Sequence, residues 1–347
     1  MAKSRNNLLT HGRSPRAHLP LFKLYLTLAV AAGFCCIGCS RQESVSPDFS
    51  TAPGSLDHGT GSGRDIPCLQ TEICLDLRLP AENGIGPGIR TKAGSWWLIQ
   101  RLDLFVFDND EIRRLDSYTR SFVYSPEVIQ VPSASGDKIV VAIANRSFPD
   151  GFVTGIHCYD DLRHAVAELT EDHPSWPVMS GETAFTAGQG HSCRLTLEPL
   201  MSAVEVRSLR SRGFRLSKVK VYLTGISNRA ELLRTEGFLP SETLNGDGLS
   251  ENDLGRLAYS GMVYRFLGDG TPSGEGATYG STSLYCYPNE AEEESVGSPF
   301  TKLVVEGLLD GETRRYVIPV NRGVFTGAEE GIGRNCRYVF DLTLTSP

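Results

Sequence analysis

The chain has 347 residues, including 36 glycines and 19 prolines, and its net charge at pH 7 is −7. This length allows one large or two medium domains, and the many turn-forming residues, without long helical patterns, favour a β-rich fold. An acidic chain with no stripe of basic residues is not expected to bind nucleic acid, whose phosphates repel it.

The first forty residues have the layout of a secretion signal. Residues 1–20 carry four basic side chains and no acidic one, and residues 24–34 are uncharged and mostly apolar. A membrane-spanning helix needs about 20 apolar residues, so this shorter run is typical of a cleaved signal and not of a span.

The signal ends in Gly38-Cys39-Ser40, which resembles the lipobox of bacterial lipoproteins. The resemblance implies cleavage between Gly38 and Cys39, lipidation of Cys39 and, because Ser40 follows in place of an aspartate, sorting to the outer membrane. Cys36 stands where the pattern has an aliphatic residue, which leaves Cys35 and Cys36 as alternative lipidation sites. Two or three acyl chains anchor a protein without a helix, since each buried methylene contributes about 0.8 kcal/mol.

Removal of residues 1–38, the predicted lipoprotein signal peptide, leaves an acidic mature chain. The signal holds five basic residues and no acidic one, so its loss changes the net charge from −7 to −12. Residues 39–64 are polar, rich in Ser, Gly and Asp, and without periodicity. This composition predicts a flexible tether between the lipid and the folded part.

Apolar patterns predict several short strands and one helix in the first half. Residues 73–79 alternate Ile or Leu with other residues, as a half-buried strand does, and residues 191–197 alternate again. Residues 98–107 and 138–144 are apolar on both faces, which predicts central, covered strands. Residues 160–169 place apolar side chains at helical spacing and predict a short helix.

The second half of the chain also has apolar patterns that predict short strands. Strands are predicted at residues 203–208, 219–223, 283–287, 301–306, 315–320 and 337–344. Pro319 predicts that its strand lies at a sheet edge or carries a bulge. Residues 236–280 are rich in glycine with few apolar runs, and we expect a long loop there. Short strands between turn signals favour β-sandwiches, with a boundary near Glu198 and Pro199.

Six cysteines follow Cys39, and an oxidising compartment permits disulfides among them, although the sequence does not give the pairing. They are Cys68, Cys74, Cys158, Cys193, Cys286 and Cys336. Cys193 and Cys336 share the phase of apolar residues in their predicted strands. We interpret both as small core residues and not as ends of a bridge.

No grouping in the sequence has the spacing of a catalytic or cofactor site. Residues 108–110, Asp-Asn-Asp, lack the glycine and distal Glu of an EF-hand and predict a turn. The acidic residues 245–253 are interpreted as a solvated loop, with weak calcium binding as the alternative. His157-Cys158 and the pair His191 and Cys193 lack partners at metal-ligand spacing. We therefore expect no metal, no cofactor and no enzymatic activity.

The three tryptophans, Trp96, Trp97 and Trp176, raise the question of a sugar-stacking surface. Adjacent residues of a strand point to opposite faces, so at most one of Trp96 and Trp97 lies on a given surface. We interpret this pair as one core residue and one residue at the sheet rim, with a stacking platform as the alternative.

Segments spread over residues 68–345 carry a family resemblance. They are Cys68, LDLFVFD at 102–108, IVVAIAN at 139–145, PVMSG at 177–181, LYCYPN at 284–289, TKLVVEG at 301–307 and GRNCRYVFDLTLT at 333–345. In this order, and with the lipoprotein signal, the chain resembles the fimbrillin superfamily of Bacteroidetes, the subunits of type V fimbriae. It is most similar to the FimB-type anchor and accessory lipoproteins.

The resemblance implies an all-β chain with two tandem transthyretin-like β-sandwich domains, at residues 65–198 and 199–347. It also implies assembly with other fimbrial subunits by donor-strand exchange, in which a strand of one subunit fills a groove in its neighbour. Stalk subunits of the family lose their first strand to an Arg-specific protease. The candidate cleavage sites here are Arg64 and Arg90, of which only Arg90 would release residues 73–79, and an anchor is expected to keep them.

These observations support one principal hypothesis and one alternative. The principal hypothesis is a non-enzymatic fimbrial subunit for cell adhesion or biofilm formation, held in the outer membrane by the lipid on Cys39. The alternative is a surface glycan-binding lipoprotein with β-sandwich domains. It requires exposed aromatic side chains beside hydrogen-bonding groups.

Overall fold

A computed structural model describes residues 70–78, 98–122, 128–188, 192–233, 242–290, 299–322 and 331–345. All of these residues belong to one compact unit, Leu56–Pro347. Within these ranges no helix is both long enough and apolar enough to cross a membrane.

The strands before residue 200 form what we call the N-terminal strand group. They are β1 (Gln70–Arg78), β2 (Leu102–Asp108), β3 (Leu115–Ser121), β4 (Val128–Ala134), β5 (Gly136–Ala144), β6 (Val166–Glu168), β7 (Met179–Ala187), β8 (Ser192–Thr196) and β9 (Glu198–Pro199). One sheet has the order β3-β2-β5-β7-β9 and another the order β4-β1-β8. β1 runs antiparallel to β4 and parallel to β8.

The two sheets of this group pack face to face through a cluster that we call the N-terminal core. Its members are Ile99, Leu102, Leu104, Val106, Val131, Val140, Ala142, Ala144, Met179, Ala187, Cys193, Leu195 and Leu197. The opposite faces of β2 and β5, with Phe105, Phe107, Val141 and Ile143, are buried in a second, larger cluster, the main core. Both strands are therefore central and covered, as their apolar sequences predict.

The strands after residue 200 form the C-terminal strand group. They are β10 (Ser202–Arg212), β11 (Ser217–Thr224), β12 (Ile226–Ser227), β13 (Arg229–Glu231), β14 (Thr243–Leu244), β15 (Tyr264–Gly268), β16 (Thr271–Ser273), β17 (Gly276–Tyr279), β18 (Thr282–Cys286), β19 (Lys302–Leu309), β20 (Glu312–Pro319) and β21 (Arg337–Thr345). One sheet has the order β16-β17-β10-β18, with β21 parallel to β10, and another the order β15-β11-β19-β20.

Helical structure in the described residues is limited to short segments. They are α1 (Tyr159–Arg163), α2 (Glu251–Arg256) and three 3-10 turns at Val153–Gly155, Leu169–Glu171 and Ser260–Met262. α1 begins where Asp161 accepts hydrogen bonds from the backbone N–H groups of His157 and Cys158, at 2.9 and 3.0 Å. The Ser250 hydroxyl caps α2 by accepting from the N–H of Asp253 at 3.2 Å.

The two strand groups share backbone pairing and a core. β13 of the second group runs antiparallel to β6 of the first. The main core joins Phe107 and Leu162 from the N-terminal group to Val204, Leu223 and Leu303 from the C-terminal group. A division of the chain into two domains near Glu198 and Pro199 stays a prediction.

The strands predicted from apolar patterns are confirmed within a few residues as β1, β2, β5, β8, β10, β11, β18, β19, β20 and β21. The described residues are mostly strand with little helix, so the all-β class is confirmed. Among them β20 pairs only with β19, which puts Pro319 on an edge strand as predicted. Cys193 and Cys336 are buried, as expected for small core residues.

The helix predicted at residues 160–169 is wrong in its second half. α1 ends at Arg163, β6 occupies Val166–Glu168, and Leu169 begins a 3-10 turn. The N–H of Leu232 donates to the carbonyl of Ala165 at 2.9 Å, next to the pairing of β6 with β13. Hydrogen bonds to a distant part of the chain override the local helical spacing, which is a weak preference in so short a segment.

The long loop predicted at residues 236–280 is also wrong, because this stretch contains β14, α2 and β15 to β17. Two of its strands extend the sheets of the C-terminal group, β15 beside β11 and β17 beside β10, whereas β14 pairs with β12. The sequence does not predict these strands, because the stretch is rich in glycine and has few apolar runs. Gly276 is needed within β17, since an added Cβ would lie 1.8 Å from the carbonyl oxygen of Ser211.

Candidate strand-exchange site

β1 is bordered by a strand on each side. Seven Cα register pairs join it to β4 and five join it to β8. The register sets Ile73 opposite Val131 and Leu77 opposite Leu195. Both partners are buried in the N-terminal core. Among the described strands nothing but β1 lies between β4 and β8, so its departure opens a groove with two backbone edges and an apolar floor.

One wall of this groove, β4, is held by side chains of β3. Asp116 accepts hydrogen bonds from the Ser133 hydroxyl at 2.7 Å and from the N–H of Ala134 at 2.9 Å, and Ser117 donates to the carbonyl of Pro132 at 2.6 Å. Burial raises the pKa of Asp116, but the hydrogen bonds from Ser133 and Lys138 outweigh it and hold the pKa below its usual value. These contacts do not involve β1.

Lys138 completes this support from inside the sheet. Its ammonium group, almost fully buried, lies 2.5 Å from Asp108 and 2.9 Å from Asp116. The two carboxylates keep the pKa of Lys138 raised although burial opposes it. A buried ammonium with paired carboxylates is costly to disrupt, so Asp116 is held in the position from which it binds β4.

The other wall, β8, rests directly on β7. Gly181 of β7 lies so close that an added Cβ would be 2.0 Å from the carbonyl oxygen of Thr196 and 3.0 Å from the side chain of Leu195. Only glycine permits this approach, because the nearest atom belongs to the backbone. Neither wall therefore depends on β1 alone for its position.

The C-terminal strand group has a comparable parallel pair, β10 and β21. Nine register pairs join the two strands, with an irregularity between Val206 and Ser208. Side chains add to this pairing: Arg337 donates to Glu205 at 2.7 Å, and Ser208 donates to Asp341 at 2.8 Å. β21 pairs with β10 alone among the described strands, so its other edge has no strand beside it there.

Arg334 connects the two strand groups just before β21. Its guanidinium donates to the hydroxyl of Ser180 at 2.8 Å, to the carbonyl of Glu198 at 2.7 Å and to the carbonyl of Leu232 at 3.2 Å. Several acceptors on one cation give a rigid connection, since the planar donors fix their directions.

Asp172 forms a second connection, deep in the interior. It accepts from the N–H of Val178 and from the hydroxyl of Tyr287, each at 2.9 Å, and from the N–H of His173 at 2.7 Å. Burial raises the pKa of Asp172 to about 6 in spite of these donors. Asp172 has no motif around it, and the segment at residues 333–345, which contains Arg334, gives no pattern that predicts these contacts, so sequence analysis misses both.

The site residues predicted from the sequence cannot be compared with this geometry. Gly38, Cys39, Arg64 and Arg90 lie outside the described residues, as do Trp96, Trp97 and His191. Their proposed roles therefore stay predictions. Trp176 is described and is partly exposed.

The described part of the chain contains no group of three or more His, Cys, Asp or Glu side chains arranged to hold a metal ion. Asp108 is the last residue of β2, and the predicted turn follows it, where Asp110 accepts from the N–H groups of Ile112 and Arg113 at 3.0 and 2.7 Å. In the acidic stretch, Asp253 accepts from the N–H of Asn245 at 2.8 Å, and the Asn245 amide donates to Leu223 at 2.9 Å.

No family model matches the chain, and no curated protein matches it. Solved structures do. A protein from Bacteroides eggerthii DSM 20697 proposed to act in cell adhesion has a TM-score of 0.55 at 15% identity, covering 82% of this chain and 89% of that one. A fimbrilin from Porphyromonas gingivalis W83 has a TM-score of 0.54 at 14% identity, covering 80% and 90%.

A third likeness is to the tip fimbrial protein Mfa3 from Porphyromonas gingivalis with a C-terminal truncation. Its TM-score is 0.52 at 12% identity, covering 80% of this chain and 96% of that one. At these identities the likeness concerns the fold, and it spans most of both chains in each case. The chain therefore has the fold of fimbrial and cell adhesion proteins of the Bacteroidetes, as its family resemblance predicts.

Proposed function

We propose that the chain is a non-enzymatic structural subunit of a type V fimbria, the accessory or anchor subunit held in the outer membrane by a lipid on Cys39. The observation that carries this proposal is the position of β1 between β4 and β8, in a chain with a fimbrial fold. The subunit acts in cell adhesion by linking the membrane to the next fimbrial subunit.

Donor-strand exchange is the proposed mode of assembly. An incoming strand gains main-chain hydrogen bonds on both edges and apolar contacts on its inner face, which are the two sources of affinity in β-augmentation. The separate support of β4 by Asp116 and of β8 through Gly181 favours a groove that keeps its shape while a strand is exchanged. In an anchor that retains β1 this groove stays filled and the partner strand pairs at another sheet edge, so exchange in the groove itself belongs to the alternative in which the chain is cut at Arg90.

The proposed organisation follows the family resemblance. We infer two tandem transthyretin-like β-sandwich domains, at residues 65–198 and 199–347, after the signal peptide 1–38 and the tether 39–64. Cleavage at Arg64 would release the lipid and leave β1 in place. Cleavage at Arg90 would release both, and an anchor is therefore not cut there.

Intact mass measurement and N-terminal peptide mapping of the protein from native outer membranes test this proposal. We expect a diacylglyceryl or triacyl adduct on Cys39 and peptides that cover residues 70–78. A Cys39→Ala variant should be absent from the membrane fraction. A mature chain that begins at Thr91 without lipid would instead identify a processed stalk or tip subunit, and the anchoring role would be wrong.

A further inference from the structure

Lys138 is a buried amine in contact with two carboxylates. Its side chain is 2% exposed, and its Nζ lies 2.5 Å from an oxygen of Asp108 and 2.9 Å from an oxygen of Asp116. The three residues belong to β5, to the end of β2 and to β3. An amine with two carboxyl groups, one to react and one to move protons, is a complete set of groups for forming an amide between side chains.

The amine lies at the rim of the N-terminal core. Lys138 is opposite Asp108 on β2 and opposite Phe185 on β7, which packs against this core. The next pair on the same face is Val106 and Val140, both fully buried. Two charges in such surroundings carry a desolvation cost that their attraction need not return. A neutral amide would keep the connection between the strands without that cost.

The two carboxylates differ in what holds them. Asp116 accepts hydrogen bonds from the Ser133 hydroxyl and from the N–H of Ala134, so its position is fixed. In the part of the chain that the structure describes, the carboxylate of Asp108 has no hydrogen-bond or ion-pair partner except Lys138, and its side chain is 41% exposed. Asp108 can therefore turn the face of its carboxyl group toward the amine and release water to the solvent, whereas Asp116 suits a proton acceptor.

The reacting atoms of Lys138 and Asp108 are close together. Nζ lies 2.5 Å from Oδ1 of Asp108, and the carbon Cγ is one bond further. This places the nitrogen and the carbon in the range of about 3–3.5 Å from which a held nucleophile attacks. Effective concentrations of groups held in this way reach about 10⁵–10⁸ M, which offsets the low reactivity of an unactivated carboxyl group.

We propose that Lys138 and Asp108 condense after folding to form an isopeptide bond, with Asp116 moving the protons. One ammonium proton passes to Asp108, which leaves a neutral amine and a carboxylic acid. The lone pair of the amine forms the Nζ–Cγ bond, and Asp116 takes a second proton from the nitrogen. Asp116 passes this proton to the hydroxyl group of the former acid, the Cγ–O bond breaks, and water leaves. The amide keeps the third proton, Asp116 is again a carboxylate, and no oxidant or cofactor is consumed.

The first proton transfer limits the rate of this reaction. Burial lowers the pKa of Lys138, but the two carboxylates outweigh it and hold the pKa above its usual value. The neutral amine is therefore a minor state, and condensation is slow. A bond that forms once in the life of each molecule tolerates a slow step, because the product carries no buried charge pair.

The bond closes residues 109–137 into a covalent loop. This loop contains β3 and β4, so one wall of the groove around β1 is tied to the central strands β2 and β5. Closing a loop restricts the unfolded chain and so stabilises the folded one, as a disulfide does. The loop also cannot be extended when the chain is pulled. The inference rests on the contacts of Lys138 and not on the fimbrial role.

Tryptic mapping of the full mature chain tests the bond. Trypsin should not cut after Lys138, and residues 121–146 should appear joined to residues 102–113 with the loss of one water. The intact mass should be lower by one water as well. Lys138→Arg keeps a cation but lacks the nucleophile, so it should restore the full mass and the separate peptides.

Two further variants separate the bond from an ordinary ion pair. Asp116→Asn should slow the appearance of the branched peptide about a hundredfold, in samples taken at intervals after synthesis, because the amide does not accept the proton. Lys220→Arg is the matched control. Lys220 lies 2.8 Å from Glu306 but is 31% exposed, and its replacement should leave the branched peptide in place.

Three results would overturn the proposal. A folded wild-type chain that has its full mass and is cut after Lys138 contains an ion pair and no bond. A water loss found in linear peptides alone would identify a cyclic imide at an aspartate. A branch that joins residues 121–146 to residues 115–120 would put the bond on Asp116 and contradict the assigned roles. Lipidation of Cys39 is measured on a different peptide, so this proposal and the anchoring role stand or fall independently.

Discussion

Both strand groups contain a parallel strand pair, but the strands β1 and β10 of these pairs differ in whether they can leave their sheets. β1 is parallel to β8, as β10 is parallel to β21. β10, however, lies directly between β9 and β11 in the chain and cannot leave its sheet without disrupting both strand groups. β1 precedes all other described strands and is held in its sheet by β4 and β8. Position along the chain, and not the pairing geometry, thus distinguishes β1 from β10 as a strand that can leave its sheet without breaking the chain path through both groups.

Deletion of residues 70–78 should have the largest effect and should separate the two groups. Loss of pairing on two edges exposes the N-terminal core, so amide hydrogen exchange in β4 and β8 should accelerate about a hundredfold, while β10 and β21 change little. A synthetic peptide of residues 70–78 should restore protection, and a peptide of scrambled sequence should not. Equal acceleration in both groups would mean that β1 is not a separable strand.

The buried contact of Asp172 between the two groups should make the free energy of unfolding depend on pH. Its pKa of about 6 in the folded chain exceeds the ordinary 3.8, so between these values the folded state binds a proton that the unfolded state lacks. Its contribution therefore makes the free energy of unfolding fall as pH rises from about 4 to about 6, by up to about 3 kcal/mol, and level off above.

Asp172→Asn should remove this slope, because an amide keeps an acceptor for the N–H of Val178 without carrying a charge. Chemical denaturation from pH 4 to pH 7.5 measures it. Asp150→Asn, a change at an exposed residue, should follow the wild-type curve. If the free energy of unfolding of wild type and of Asp172→Asn changed with pH in the same way, burial would not raise the pKa of Asp172.

Gly181→Ala tests the wall formed by β8. The added methyl would meet the backbone of Thr196, which has no side-chain freedom with which to yield. We expect a loss of about 2 kcal/mol in the free energy of unfolding and faster exchange in β8. Gly155→Ala, where nothing lies within 4 Å of the new atom, should change stability by less than about 0.5 kcal/mol. If the two variants lost the same stability, the close approach of β8 to Gly181 would not be the cause of the loss.

Arg334→Ala should have the smallest effect of the four and should loosen the connection between the groups. Loss of the hydrogen bonds to Ser180, Glu198 and Leu232 is expected to cost about 1–2 kcal/mol. Arg314→Ala removes an exposed ion pair with Glu312 on edge strand β20 and should cost less than about 1 kcal/mol. Denaturant titration measures the free energy of unfolding of both variants. A larger loss for Arg314→Ala than for Arg334→Ala would contradict the role of Arg334 as a connection between the groups.

Local sequence is a good guide where one segment carries a strong apolar pattern. β2 and β5 are apolar on both faces and are found at the centre of their sheet. The pattern analysis does not predict β3 and β7, because each contains three Ser or Thr residues, or β4, whose apolar residues are interrupted by Pro132 and Ser133. These strands owe their form to pairing with neighbouring strands. Propensity alone is weak in such strands, since context decides their stability.

Apolar periodicity and turn residues act locally, so the sequence by itself determined the all-β class and ten of the 21 strands, and it predicted an edge or a bulge for the strand of Pro319. The matched segments spread over residues 68–345 carried the resemblance to fimbrial proteins. The tertiary structure alone decided the parallel partners of β1 and β10, the wall contacts of Asp116 and Gly181, and the contact of Lys138 with Asp108. These features depend on groups that are distant in the chain or oriented by it, and no local pattern encodes which of them meet.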